Sequence, residues 1–341
     1  MGSLQKWWQA FRYHFVPPSL MPAVLGTAVA FYQTGYVDII AYLLVIIGVT
    51  VNHIALNMTD DYYDFLASVD RAKNRESNPY SGGSGTLTGG SISPSAMRNV
   101  FLFGYIVTVI IGVILTAWKG WGVMAFGLFG LACSFFYTAP PIKYGYHGLG
   151  EISQMVNFSL TIGLGAYYVQ TGTVSLLAAF ALLPLGFVMF SMIIINEIPD
   201  IKEDRFGKKN NLVVTFGTKK GTTFFTVGLG LALLFLFIIP LLDTKAIIVL
   251  FALALFPMGI MAVRGLAKNG HDSKRLSPYN LLTIQIHNLL GMILVGTFLF
   301  LAVSSNPEAT LILICSFFVL YLPAGVTVFK PLFARIISKG N

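Results

Sequence analysis

Long apolar runs broken by short polar stretches set the character of this chain. Phe101 to Trp118, Gly221 to Leu242 and Ala246 to Val263 are each nearly free of charge. About 20 apolar residues at 1.5 Å rise cross a hydrocarbon layer of roughly 30 Å. The pattern predicts membrane-spanning helices near 15–33, 38–60, 99–118, 121–139, 149–170, 174–196, 221–242, 245–263, 279–303 and 309–329. The loops after spans two, four, six and eight are polar, and those after odd spans are short. The start of the chain, 1–14, places Trp7, Trp8 and Phe11 beside Lys6 and Arg12, the pattern of an interfacial amphipathic segment. The expected organisation is one polytopic all-α domain over 1–341. Polar cap loops occupy 61–98 and 197–220, and 305–341 holds an additional span with a basic tail.

Composition agrees. Apolar residues make up 55% and charged residues 11%, against roughly a quarter charged in soluble domains. Cys133 and Cys315 both lie in apolar runs, so no disulfide framework is implied. The net charge of +8 has a topological origin. All Lys and Arg except Lys119 and Lys245 fall on the side that holds the N-terminal segment and the even-numbered loops. The positive-inside rule puts that face in the cytoplasm, against anionic lipid of the cell membrane, and nucleic acid is not needed to explain the charge.

Two acidic clusters stand at the cytoplasmic ends of spans two and six. The first runs Asn57-Met-Thr-Asp60-Asp61-Tyr62-Tyr63-Asp64, with Asp70 and Arg71 beyond. The second runs Asn196-Glu197-Ile-Pro199-Asp200-Ile-Lys202-Glu203-Asp204. At about 100° per residue, Asn57, Asp61 and Asp64 share a face, as do Asn196, Asp200 and Asp204. The motif thus recurs four spans apart, a weak repeat of spans one to four in spans five to eight. So many clustered carboxylates are costly unless compensated. Hard divalent cations resolve that, and Mg²⁺ takes one or two carboxylates together with phosphate oxygens. Two facing stripes suit two Mg²⁺ with a diphosphate between them. Arg71, Lys73, Lys143, Lys208 and Lys209 are the nearby cations for its remaining charge. A lipid tail among apolar helices completes the picture of an allylic diphosphate held for ionisation.

With these motifs the chain resembles the UbiA superfamily of intramembrane prenyltransferases, over about residues 10–303. Within it the sequence looks most like the 1,4-dihydroxy-2-naphthoate polyprenyltransferases of menaquinone synthesis. Tyr137-Thr-Ala-Pro140-Pro141-Ile-Lys143-Tyr144, Gly148-Leu-Gly150-Glu151, Tyr167-Tyr168-Val-Gln170-Thr-Gly172 and Gln285-Ile-His287-Asn-Leu-Leu-Gly291 are similar to segments of that branch. Asp60 stands where many relatives have Asn, the loop Asn78 to Gly85 lacks their arginine-rich character, and the tenth span is additional. The resemblance implies a bundle of nine to ten transmembrane helices around a central cavity with a cytoplasmic cap. It implies that Asp61, Asp64, Asp200 and Asp204, with Asn57 and Asn196, hold Mg²⁺ and diphosphate. Tyr137, Lys143, Arg71 and Lys73 would contact the diphosphate. The rings of Tyr62, Tyr63 and Phe136 are candidates to stabilise the allylic cation. An aromatic acceptor then attacks, and in this branch it loses its carboxylate as carbon dioxide.

The residues alone leave the acceptor open. A hydroxynaphthoate, 4-hydroxybenzoate, homogentisate, a chlorophyll precursor or a lipid would each suit the same donor chemistry. A cation-coupled transporter using the carboxylates as ion sites is the alternative from another class. His287 in span nine is either a helix–helix contact or a substrate contact. The Gly82-Gly83-Ser84-Gly85 stretch is either a lid or a linker.

Overall fold

A computed structural model describes residues 3–69, 78–303 and 306–316. Arg71 and Lys73, the distal part of the tenth expected span and the basic tail lie outside the described residues. Among the described residues the regular elements are all helical. Of the described helices, six are long and apolar enough to cross a membrane: Ile39–Leu66, Pro94–Lys119, Leu176–Phe206, Leu212–Leu242, Thr244–Asn269 and Ser273–Ala302. Trp121–Phe135 and Pro307–Ser316 are apolar but shorter.

Local chemistry sets the boundaries. An amphipathic helix α1 (Ser3–Phe11) precedes α2 (Pro17–Thr34), which stops at Gly35 in the left-handed region, φ 68°. Asp38 caps α3 (Ile39–Leu66) by accepting from Ala41 N at 3.0 Å. Ser93 and Pro94 open α4 (Pro94–Lys119), and Gly120, φ 99°, turns the chain into α5 (Trp121–Phe135). The fifth expected span is one run from α6 (Gly150–Val156) through a π turn, Asn157–Thr161, into α7 (Ile162–Thr171). Then follow α8 (Leu176–Glu197) and the short α9 (Ile201–Phe206). Asn211 caps α10 (Leu212–Leu242) through Val214 N at 2.8 Å. A 3₁₀ stretch, Thr244–Leu255, leads into α11 (Phe256–Asn269), and Asp272 caps α12 (Ser273–Ala302).

Burial ranks the helices. In the most apolar windows of α8 and α12, 67% of residues are buried, against 22% in α4. α4 accordingly turns Phe103, Ile106, Ile110 and Val113 outward, the surface expected against lipid. α2 packs on α7 through two glycines, and a Cβ at Gly26 would overlap the Gly163 carbonyl. Small residues at such crossings let helix backbones approach where lipid gives no hydrophobic drive. At the end opposite the acidic clusters, Lys119 bonds Asp38 at 2.6 Å and ties the end of α4 to the start of α3.

Candidate active site

The ends of α3 and α8 open on one cavity of about 210 Å³. From α3, His53, Asn57, Asp60 and Asp64 line it; from α8 and the segment beyond, Asn196, Glu197, Asp200, Glu203 and Asp204 do. The α3 stripe has helical spacing, with all four residues within about 60° at 100° per residue. Asp61 falls about 80° from His53 on that count, and it is not among the lining residues. Both its oxygens accept from Ser84 N at 2.8 Å. The second cluster is not one straight helix. Pro199 lacks the N–H that an unbroken ladder needs. The chain passes through a 3₁₀ turn, Ile198–Asp200, before α9. Asn196, Asp200 and Asp204 nevertheless face the same cavity.

Asp64 is held on both oxygens. Tyr146 donates to its Oδ1 at 2.6 Å and Lys209 to its Oδ2 at 2.8 Å. Lys209 is also 3.6 Å from Asp60 Oδ1. The turn after α9 explains why Lys209 enters while its neighbour does not. Lys208 takes a left-handed conformation, φ 58°, and Lys209 N closes the turn on Asp204 O at 2.8 Å. Lys208 is exposed and outside the cavity lining; Lys209 is buried within it. Burial pulls the Lys209 ammonium down, but Asp60 and Asp64 outweigh it and hold the group well above the ordinary lysine range. Burial first, then the Asp64 charge, push the Tyr146 phenol upward, so it remains a donor.

Other expected residues are distributed differently. Tyr137 lines the cavity, its ring 5.6 Å from Lys209 Nζ. Lys143 is not in the lining; its Nζ lies 5.4 Å from the centre of the Tyr146 ring. Tyr62, Tyr63 and Phe136 sit elsewhere, in an aromatic cluster with Phe101, Tyr105 and Phe135. The aromatic residues that line the cavity are instead Phe15, Tyr80, Tyr137 and Phe158. A cluster of aromatic residues at a helix end is as suited to packing as to a site, and helix rotation decides between them. His287 is fully buried outside the lining, and neither ring nitrogen has a hydrogen-bond partner among the described residues.

Several contributors carried little signal in the sequence. Arg12 takes a left-handed conformation, φ 49°, and places Nη1 3.7 Å from Asp60 and 3.5 Å from Asp61. Gln9 donates to Ser84 O at 2.8 Å. The segment read as interfacial therefore also covers the site, and the glycine loop is clamped between α1 and Asp61, with Gly82 and Gly83 in the cavity wall. Asn78 donates to Asn280 Oδ1 at 3.1 Å, and Asn280 donates to Asn196 Oδ1 at 2.7 Å. This chain of amides fastens the loop to the second acidic cluster. Asn57 donates to Phe11 O at 3.1 Å.

The donor set can be tested for a divalent cation. Among the described residues no three His, Cys, Asp or Glu side chains converge as a ready-made metal site. Yet Asp60 Oδ1 and Glu197 Oε2 are buried at the cavity with no hydrogen-bond partner among the described residues. Carboxylates from two elements face a shared space without forming a closed cage. That fits a hard cation whose coordination is completed by oxygens of a bound anion.

The sequence model of the UbiA prenyltransferase family matches residues 19–286. The 1,4-dihydroxy-2-naphthoate octaprenyltransferase of Bacillus subtilis is 25% identical over 77% of this chain and 82% of its own length. The enzyme of that name in Escherichia coli is 27% identical over 62% and 69%. The 2-carboxy-1,4-naphthoquinone phytyltransferase of Synechocystis is 23% identical over 84% and 91%. Among solved structures, a UbiA homolog from Archaeoglobus fulgidus bound to GPP and Mg²⁺ superposes with TM-score 0.55 at 12% identity, over 85% of this chain and 99% of that one. A digeranylgeranylglyceryl phosphate synthase gives 0.59 at 14% identity, over 87% and 99%.

Proposed function

The chain belongs to the UbiA prenyltransferase family, and from that premise we propose that it transfers a polyprenyl group from an allylic diphosphate to 1,4-dihydroxy-2-naphthoate. That it is a prenyltransferase follows from the family; the donor, acceptor and site assignments are the proposal. One observation carries it. Carboxylates from two helix ends, far apart in sequence, open on a single cavity that also holds the cations Arg12 and Lys209 and a set of aromatic and apolar residues, among them Phe15, Phe158, Met189 and Met192. The acceptor is supported by the names of the Bacillus and Escherichia relatives.

Asp64, Asp200 and Asp204, with Asn57 and Asn196, would hold two Mg²⁺, and Asp60 and Glu197 add to the same acidic lining. Asp61, bonded to Ser84 N outside that lining, would fasten the glycine loop over them. When bound, Mg²⁺ supplies positive charge that neutralises a diphosphate. The protein's own residues do the rest. Lys209 and Arg12 bring cationic charge to the cavity. Arg71 and Lys73 are proposed as further cations for the diphosphate, and Tyr137 as a hydrogen-bond donor to it. As the allylic C–O bond breaks, its electron pair leaves on the diphosphate. Of the rings that line the cavity, Phe158 is the candidate to stabilise the carbocation, because Arg12 already sits over Phe15 and Lys209 over Tyr137. The acceptor ring carbon that bears the carboxylate then supplies the electron pair of the new C–C bond. Its bond to the carboxylate breaks, carbon dioxide leaves, and the electron pair left behind restores the aromatic ring. The apolar wall excludes water, which would otherwise trap the cation as an alcohol.

The proposal extends to topology. Nine to ten spans form the bundle, spans one to four answer to spans five to eight, and the acidic helix ends face the cytoplasm at the cell membrane. The transporter reading is set aside, because the family is one of prenyltransferases. The test is a product assay on purified protein with farnesyl or geranylgeranyl diphosphate and 1,4-dihydroxy-2-naphthoate, with and without chelator, read by mass spectrometry. A Mg²⁺-dependent prenylated, decarboxylated naphthoquinol supports the proposal. Unchanged turnover in chelator overturns the metal assignment, and the absence of any naphthoate product overturns the acceptor.

A further inference from the structure

Below the carboxylates the cavity holds a second polar group that the diphosphate chemistry does not use. His53 lies seven residues before Asp60 on α3, about 10 Å deeper along the helix at 1.5 Å per residue. Its Nδ1 is 2.9 Å from Ser19 Oγ. Ser19 Oγ is itself 2.8 Å from Val16 O and donates to it. A hydroxyl has one proton. With that proton committed to Val16, Ser19 can only accept from His53, so the ring proton sits on Nδ1. In the neutral ring Nε2 is then a bare lone pair. Phe158 packs edge-on at 5.3 Å and 88°, holding the ring in place. On α6, Gln154 is buried, and its Oε1 has no hydrogen-bond partner among the described residues. Both residues line the cavity.

We propose that His53 and Gln154 select the acceptor by accepting hydrogen bonds from two hydroxyl groups on one aromatic ring. The inference rests on the prenyl-transfer reading and assigns the two residues that recognise the hydroxyl pair of its acceptor. Two acceptors set in a wall of Phe158, Met189 and Met192 match a flat, apolar body with a donor at two positions. A ring with one hydroxyl leaves one buried acceptor unpaired. A site built to bond a substrate hydroxyl discriminates strongly against an analogue that lacks it. Ser19 acts through His53 as a positioning residue, fixing the tautomer that makes Nε2 an acceptor.

The experiment is steady-state kinetics on the full chain in detergent with geranylgeranyl diphosphate and Mg²⁺. The acceptors are 1,4-dihydroxy-2-naphthoate, 1-hydroxy-2-naphthoate and 4-hydroxybenzoate. The unaltered protein is expected to prefer the diol in kcat/KM. His53→Leu and Gln154→Leu are each expected to raise KM for the diol by about tenfold or more. The apparent constant for the prenyl diphosphate stays unchanged, and the preference over the monohydroxy acceptors collapses. His53→Gln, which can again present an acceptor oxygen, restores part of that preference. Equal kcat/KM for the diol and monohydroxy acceptors in the unaltered protein overturns the proposal without any variant. So do leucine variants that keep both the diol KM and the preference. Failure of the unaltered protein to consume prenyl diphosphate at all overturns the underlying reading, a result separate from loss of hydroxyl selection.

Discussion

Lys209 Nζ and Asp64 Oδ2 meet at 2.8 Å although 145 positions separate the two residues in the chain. The pair joins the two acidic helix ends at the rim of the cavity. Replacing Lys209 with Met leaves Asp60 and Asp64 as buried charges without their main counter-ion. Stripping one partner from a buried pair costs about 3–5 kcal/mol. The expected outcome is a clear loss of thermal stability in detergent, together with a higher apparent constant for the prenyl diphosphate. A variant with wild-type melting and wild-type KM would remove Lys209 from both roles.

Asp64→Asn and Asp200→Asn keep the shape of the lining and delete a charge each. Turnover is expected to fall by orders of magnitude while the helical circular dichroism signal stays intact. Either variant turning over at the wild-type rate would sink the assignment of that residue to the metal and diphosphate site.

Asp61 differs from its neighbours because both its oxygens bond Ser84 N. Asp61→Asn is expected to cost at least about tenfold in turnover. It should also expose the glycine loop over 78–93 to limited proteolysis, which Asp64→Asn should not. Identical cleavage patterns in the two variants would show that Asp61 does not fasten the loop.

The Tyr146 hydroxyl donates to Asp64 at 2.6 Å and does not itself line the cavity. Tyr146→Phe removes one charge-assisted bond, worth about 1.5–3 kcal/mol. The expected result is a moderate fall in stability and a rise in the Mg²⁺ concentration needed for half-maximal rate. Wild-type metal dependence in this variant would mean that the bond does not tune Asp64.

Gly26 meets Gly163 where α2 crosses α7, and any Cβ at Gly26 collides with backbone. Gly26→Val is expected to lower stability by about 1–3 kcal/mol through overpacking, measured by thermal unfolding. Gly112 provides the contrast, since a Cβ there would meet nothing within 4 Å. Gly112→Ala should be close to neutral, and a similar loss at both positions would point to a general effect of replacing glycine.

Much was legible before any fold was known. Apolar run lengths marked the long helices, because a bilayer imposes a length and internal hydrogen bonding on whatever crosses it. The acidic clusters stood out because carboxylates beside a membrane are costly without a purpose. Their spacing placed Asn57, Asp61 and Asp64 on one face and Asn196, Asp200 and Asp204 on another, and all of these but Asp61 line one cavity. The basic residues were less well resolved. Lys208 and Lys209 are equal in the sequence, and a single left-handed residue turns one out and the other in. Lys143 rests on Tyr146 for a reason no spacing encodes.

The sequence by itself determined the class of protein, the helix faces and the residue types available for diphosphate chemistry, because those follow from local periodicity and transfer energetics. Tertiary structure decided which charges meet. It put Arg12 beside Asp60, directed Asp61 to a loop amide, and moved the cavity's aromatic lining from Tyr62 and Tyr63 to Phe15 and Phe158. It also fixed the proton of His53 through Ser19, a residue on another helix. These depend on how far each helix rotates and on contacts between segments distant in the chain. Packing free energy sets both, and no local pattern carries that information.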